Sequence, residues 1–547
     1  MITRRHFLAT ASAGTAWSAV AGWKRMPVLP LARVGLITDT HIDDNPDSCR
    51  FVGEAFRLFR REKVDTILHA GDLATVWSPA GYREYRRLFH QVFAESAPRE
   101  LFSYGQHDGL NFPRTLKEGE KWYDVKWPAF AEAMETDQPY QTVTTLGGFP
   151  LIVFPQKWVS GDFDELVGLV GEAARKNPNG PVFVLTHVPI IGTTFGSERF
   201  GCGIGDKAKM AKYPNVIMLT GHAHEDLHDE GVVWQEGFTA VALGTLQWPR
   251  LICAGRPIKV YRQDNVMTMD VFTDRVEFVR WNLATGSSFG DKWVVHWGLH
   301  PEVLGAKSRM ARERRGRFPE RAKISVASDG NGGCRVRFPE ILETTDIRKY
   351  EVRAEVAGKT EAIVDVRGPW YARAYEHGEP EAVFRDGLFK SGEKIAFRVV
   401  PLTFMGAEGP ALATEWVAGK GVVGDLRWEG SVKGEWVSAY PFGFLFHLPQ
   451  AAWLGKAGSR FRVSVSLTSD AAGELKVYSD GQKRAIGSSL DPLYVVGGSD
   501  TNPLRYVIDV TKETDGSTYS LYFANTMARR ASLPVVRVER MDDLMQT

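Results

Sequence analysis

The stretch NVIMLTGHAH, residues 215–224, places a short, mostly apolar run directly before a Gly-His-Ala-His turn. An apolar run of this length, stopped by glycine, reads as a buried strand. In open α/β sheets the carboxyl ends of the strands share one edge, where ligands bind. His222 and His224 would stand on that edge. The decisive point is whether other strands deliver similar groups to it.

They do, in order along the chain. Apolar runs stand at RVGLIT (33–38), VDTILHA (64–70), ELFSY (100–104), PLIVF (150–154) and PVFVLT (181–186). The first is followed by Asp39-Thr40-His41 and the second by Gly71-Asp72. The third leads into Gly105-Gln106-His107-Asp108, and PVFVLT ends in Thr186-His187-Val188-Pro189. Each motif alone suits a helix cap or a turn. Their recurrence at strand ends is what a turn does not explain. Oxygen and imidazole donors together suit Mn, Fe, Zn or Co better than Ca. A carboxylate between two donor sets can bridge two metals about 3.5–4 Å apart. His69 and His228 lack partner spacing and read as hydrogen-bonded core histidines.

Between the strands, Phe51, Val52, Ala55, Phe56 and Phe59 recur at helical spacing, as do Tyr85, Leu88, Phe89, Val92 and Phe93. Phe163, Leu166, Val167 and Val170 form a third such set. Strands alternating with amphipathic helices predict a layered α/β domain, its sheets covered by helices. Shorter alternating runs from Val232 to about Trp297 predict strands that complete it.

DTH, GD, G(Q)HD, H and GHAH, in this order, resemble the calcineurin-like metallophosphoesterases over roughly residues 33–300. The resemblance implies that Asp39, His41 and His224 hold a first metal and that Asp72 bridges to a second. Gln106, His187 and His222 would hold that second metal. It also implies a phosphate-ester substrate, attack by a metal-bridging hydroxide, and His107 assisting the leaving group. Asp108 is taken with His107 as catalytic. Two departures stand out. Gln106 replaces the family's Asn, moving the amide oxygen outward by one methylene. Thr75 stands where protein phosphatases carry an Asp and purple acid phosphatases a Tyr, so another group must orient His107.

The full 547 residues exceed one hydrophobic core, and several domains are expected. The expected boundaries are 28–305 for the metallophosphoesterase domain, 306–322 for a basic solvated linker, 323–417 and 418–547. The last two are read as all-β sandwiches. Within 323–417 the closing AFRVVPLTFMGAEGPAL resembles the last strands of a fibronectin type III domain. Trp428, Trp436, Tyr440 and Trp453 make carbohydrate or a surface polymer a candidate partner of the C-terminal module. A retired phosphoesterase scaffold that binds such a polymer is the alternative to an enzyme.

Residues 1–27 resemble a twin-arginine export signal: Arg4-Arg5, then Phe7-Leu8, a mildly apolar stretch and Ala19-Val20-Ala21. Export to the periplasm or beyond, with no membrane anchor after cleavage, is the expectation. A formal net charge of +1 gives no reason to expect a nucleic-acid partner. Cys49, Cys202, Cys253 and Cys334 share no short spacing and are expected as thiols. The Gly-rich loop 193–212 is expected beside the cleft, with Arg199 and its lysines as candidate phosphate partners.

Overall fold

The structure, a computed structural model, describes residues 29–541 apart from 43–45, 95, 116, 156–161, 198–206, 247–249, 252–257, 260–264, 298–303, 329–332, 345, 370–378, 386, 420–424, 438–442, 471–472, 480–483, 486–492, 496–497 and 525–529. The export-signal segment, Arg199, Cys202, Cys253 and Tyr440 therefore lie outside the described residues.

The N-terminal half is built on two six-stranded sheets. Its strands are β1 (Ala32–Ile37), β2 (Thr66–His69), β3 (Arg99–Phe102), β4 (Thr142–Leu146), β5 (Phe149–Val153), β6 (Val182–Leu185), β7 (Val216–Thr220), β8 (Val233–Gln235) and β9 (Thr239–Ala242). A small hairpin of β10 (Arg250–Leu251) and β11 (Ile258–Lys259) precedes β12 (Asn265–Val271), β13 (Arg275–Asn282) and β14 (Ser287–His296). One sheet runs β14-β13-β12-β1-β2-β3 and the other β4-β5-β6-β7-β9-β8. β1, β2 and β3 pair in parallel, as do β5, β6, β7 and β9. Parallel pairing aligns the carboxyl ends of these strands, and the ligand motifs follow there.

The sheets face each other across a core that includes Val34, Leu36, Leu68, Val153, Phe183, Leu185 and Leu219. Helices α1 (Pro46–Arg61), α2 (Pro79–Phe93) and α3 (Trp122–Ala133) cover the other face of the first sheet. Helix α4 (Asp162–Lys176) covers the second, packing Phe163, Leu166 and Val170 on Ile152, Val184 and Met218. Phe56 and Phe59, each completely buried, are among the helical repeats named above. Burying each such side chain contributes about 1.5–3 kcal/mol. The expected α/β layers are thus present. Their outer helical layer includes α3, whose mixed face and internal Pro128 hide it from periodicity.

Residues 325–417 form a sandwich of three and four strands. Ser325–Ser328, Cys334–Arg337 and Glu381–Phe384 make one sheet. Lys359–Arg367, Ile347–Val356, Lys394–Thr403 and Leu412–Val417, in that order, make the other. In the C-terminal module Asp425–Lys433, Ala531–Arg540, Arg460–Ser469 and Leu504–Thr511 form a sheet against a six-stranded one. Trp453 lies in the core between them, 1% exposed, with its indole N–H donating to Tyr519 O. It is therefore closed to a sugar, against expectation. Trp428 is partly buried against the same core, while Trp436 is exposed.

The basic segment after residue 305 is not a solvated linker throughout. Arg309, on the short helix Ala306–Met310, is buried, ion-pairs with Glu230 at 2.5 Å and donates to Val233 O. From the middle sandwich, Arg348 pairs with the buried Asp229 at 3.2 Å and lies 3.8 Å above the Phe195 ring. Cys49 and Cys334 are thiols. No helix among the described residues is long and apolar enough to cross a membrane.

Candidate metal centre

The turns after β1, β2, β3, β6 and β7 interlock through hydrogen bonds from backbone N–H groups, those of His107 and His222 reaching the Asp72 and Asp39 carboxylates. Asp39 N donates to Gly71 O and His41 N to Asp72 O, while Gly221 N donates to His187 O. Thr245 Oγ1, beyond β9, donates to Asp39 O. These contacts fold five sequence-distant motifs into one cluster. Asp39, His41, Asp72, His222 and His224 all hold positive φ, between 41° and 66°. Left-handed backbone costs a non-glycine residue about 1–2 kcal/mol. Such strain persists where surrounding structure enforces it, typically at functional sites.

Two donor groups result, each with one ligand atom per residue and all atoms within 4.8 Å of one another. Asp39, His41, Asp72 and His224 form the first; Asp72, His187 and His222 form the second. Asp72 belongs to both, the place of a bridging carboxylate. His224 Nε2 lies 3.0 Å from Asp39 Oδ1 and 3.3 Å from His41 Nε2, and His187 Nε2 lies 3.0 Å from Asp72 Oδ2. Two donors about 2.1 Å from one ion stand about 3.0 Å apart at a right angle and about 3.4 Å at the tetrahedral angle. The observed spacings fall in that window.

Hydrogen bonding of the outer atoms fixes which atoms face inward. His187 Nδ1 is 2.9 Å from Ala70 O, and a carbonyl only accepts, so Nδ1 carries the proton. Nε2 is left to meet Asp72 Oδ2, and neither atom has a further hydrogen-bond partner. Asp39 Oδ1 is likewise without one, whereas Asp39 Oδ2 accepts from Thr38 Oγ1 and His222 N. Buried polar atoms left in this state are costly unless a further group satisfies them. Buried acceptors converging from imidazole and carboxylate fit a pair of divalent cations.

The electrostatics favour cation binding at every donor but His187, which a metal ion would have to strip of a proton. Burial, with the neighbouring imidazoles of His224 and His187 respectively, lowers His41 and His222 to about 3 and keeps both neutral, as ligation requires. Burial works to raise Asp39 and Asp72, but the facing His224 and His187 hold both below the usual carboxylate range. Burial opposes the protonation of His187, yet the Asp72 carboxylate beside it prevails and raises it to about 9.

His107 is half-buried beside the cluster, its ring 5.1 Å from that of His41. Its backbone N–H donates to Asp72 Oδ1 at 2.8 Å. Its Nδ1 is 2.7 Å from Thr75 O and therefore carries a proton. Thr75 thus supplies through its carbonyl the orientation that its side chain lacks. Asp108 turns the other way. Its Oδ1 accepts from Leu73 N and Ala74 N, and its Oδ2 from Asp72 N and Gly105 N. Burial and the Asp72 carboxylate raise it to about 7, against the amides of Gly105 and Ala74. The position taken as catalytic in the sequence is a completely buried brace that fixes the Asp72 and His107 turns.

Gln106 is exposed, and its side chain makes no hydrogen bond to the described residues. His69 is a core histidine: its Nδ1 accepts from Gly71 N, and burial lowers it to about 3. His228 pairs with Asp226 at 2.8 Å and stacks on Phe289. The loop 193–212 is described in part: Thr193, Thr194 and Ser197 are buried, and Gly196 packs against Ala223 of the GHAH turn and the adjoining Glu225.

Residues 32–226 match the family model of the calcineurin-like phosphoesterases. No curated protein matches the chain in sequence. Among solved structures, 49% of the chain is similar to all of a dimetal phosphatase from Danio rerio, at 11% identity and a TM-score of 0.34. The same share is similar to 54% of a purple acid phosphatase from yellow lupin (Lupinus luteus) seeds, at 15% identity and a TM-score of 0.34. It is similar also to all of a phosphoesterase from E. coli, at 12% identity and a TM-score of 0.25. With the family match falling on the turns that form the two donor groups, residues 32–226 are a calcineurin-like phosphoesterase domain.

Proposed function

We propose that the protein is an exported, metal-dependent hydrolase of a phosphate mono- or diester. The observation that carries this reading is the pair of donor groups sharing Asp72, with His107 fixed beside them. Asp39, His41, His224 and Asp72 would hold one ion; Asp72, His187 and His222 would hold the other, with the exposed Gln106 amide as its further donor. Two ions of the Mn, Fe, Zn or Co type would supply charge neutralisation and acidified water.

The remaining work falls to the chain itself. His107, tied at Nδ1 to Thr75 O, keeps Nε2 for the substrate. As a water oxygen bonds to phosphorus and the P–O ester bond breaks, a proton held on Nε2 passes to the departing alkoxide oxygen, giving an alcohol with phosphate from a monoester or with a phosphate monoester from a diester. Asp108 acts through the backbone and keeps Asp72 and His107 in register. Arg4-Arg5 and the apolar stretch after them support export. The three-plus-four strand order of residues 325–417 supports a fibronectin type III-like module.

The test is hydrolysis of p-nitrophenyl phosphate and its bis ester by the purified protein with added Mn²⁺. Turnover should appear and Asp72→Asn should abolish it. No turnover across a broad panel of metals and substrates would overturn the enzyme reading in favour of a retired scaffold.

A further inference from the structure

The two β-sandwiches meet at a cavity of about 330 Å³ that the phosphoesterase reading does not use. This is within the range of small-ligand sites, which often form where domains join. Its floor is the outer face of the C-terminal four-stranded sheet. Strand register there sets two cross-strand rows, Val507–Ser464–Arg537 and Arg505–Ser466–Val535. Residues of opposite parity, among them Val463, Val465, Ile508, Val536 and Val538, fill the core beneath. The wall is the Gly387–Ser391 loop of the middle sandwich, which brings Lys390.

The floor carries more hydrogen-bond donors than acceptors. Arg537 reaches Glu539 at 3.2 Å through Nη2, but its buried Nε has no acceptor. Arg505 lies 3.0 Å from Glu361 and 3.5 Å from Glu393 of the middle sandwich, yet its buried Nε and Nη2 lack aligned acceptors. The hydroxyls of Ser464 and Ser466 and the Lys390 ammonium have no hydrogen-bond partner among the described residues. Val535 is exposed beside these polar groups, as apolar surface beneath a ring would be, while Val507 is packed against the middle sandwich. Charge alone does not select an anion, because Glu361, Glu393 and Glu539 balance the three cations. The excess of donors, with paired serines and the exposed Val535, selects an oxygen-rich ligand of modest charge.

We propose that this cleft binds an acidic sugar residue, its carboxylate or sulfate group meeting Arg537 and Lys390 and its hydroxyls meeting Ser464 and Ser466. The site is separate from the metal cluster, so its fate and that of the hydrolase reading are independent. It also differs from the aromatic cluster suggested by the sequence, since Trp453 is core.

The test is calorimetric titration of the full chain with trigalacturonate, a sulfated disaccharide, a neutral trisaccharide and inorganic sulfate. One of the two acidic sugars should bind, and which one binds tells carboxylate from sulfate. Lys390→Ala and Arg537→Gln should each weaken that binding by tenfold or more. Ser466→Leu, which fills the floor, should abolish it, with hydrolysis of p-nitrophenyl phosphate and the unfolding midpoint unchanged. The proposal is overturned if neither acidic sugar binds, if the neutral sugar or sulfate alone binds as tightly, or if Lys390→Ala and Arg537→Gln bind like wild type.

Discussion

Replacing Gly71 by alanine tests whether the turns are packed around the cluster as closely as the metal geometry requires. Gly71 has a φ of +102°, and an added Cβ would stand 2.7 Å from Gly105 N, 2.9 Å from Gly105 Cα and 2.9 Å from His187 Nδ1. An ordinary contact is 3.4 Å, so Gly105 N must retreat 0.7 Å and His187 0.5 Å (3.4 less 2.7 and 2.9). Two of the three atoms are backbone, so a rotamer change cannot relieve the clash. Metal–donor distances tolerate only about ±0.2 Å. The His187 shift exceeds that and also breaks its hydrogen bond to Ala70 O. Overpacking costs about 1–3 kcal/mol, and the left-handed backbone adds about 1–2 kcal/mol for a residue with Cβ. The expected result is a loss of about 2–5 kcal/mol in urea unfolding, and loss of the second ion. Activity should fall by about 10² or more, as an ångström-scale misplacement does. Gly168→Ala is the control: it lies exposed on α4, with nothing within 4 Å of its Cβ. It should keep full activity and gain about 0.5–1 kcal/mol. A Gly71→Ala protein with two ions, normal turnover and unchanged stability would refute the reasoning.

Metal titration of chelator-treated protein should resolve two unequal sites, because the first group has four buried donors and the second relies on exposed Gln106; Gln106→Ala should weaken only the looser one, and equal weakening of both would count against this assignment. Since His187 is raised to about 9, metal binding at pH 7.5 should release about one proton per chain, read by calorimetry in buffers of different ionisation enthalpy. The sign for stability follows. His41, His69 and His222, lowered to about 3, lose stability as pH falls below the unfolded value of about 6.5. His187 loses its contribution as pH rises through 9. These groups place the metal-free optimum near pH 6.5, and a steady rise in stability from pH 6.5 to 9 would contradict them. Arg348→Ala removes the ion-pair partner of the buried Asp229 and should cost about 3 kcal/mol; a change under 0.5 kcal/mol in urea unfolding would show that the pair does not hold the domains together.

The site's composition was legible because parallel strands put their carboxyl ends together, so ligands could be read as whatever follows an apolar run. The helices α1, α2 and α4 were legible because each keeps one apolar stripe. What the sequence hid depends on backbone groups or on three-dimensional burial. Asp108 looks like a partner of His107, and only the path of the chain reveals that it serves four amides. Thr75 looks like a missing carboxylate, whereas its carbonyl does the orienting, and every residue has a carbonyl. By residue type Trp453 suggests a sugar platform, and the basic run that holds Arg309 suggests solvated cations. Their burial follows from packing against Tyr519 and Glu230, which are distant in sequence.

The central claim is that one carboxylate, Asp72, joins two metal sites. Elemental analysis of the full chain after Mn²⁺ loading and gel filtration tests it most directly. The account predicts about two ions per chain, and fewer than one in Asp72→Asn. A wild-type protein that saturates at one ion, or an Asp72→Asn protein that retains two, would contradict it.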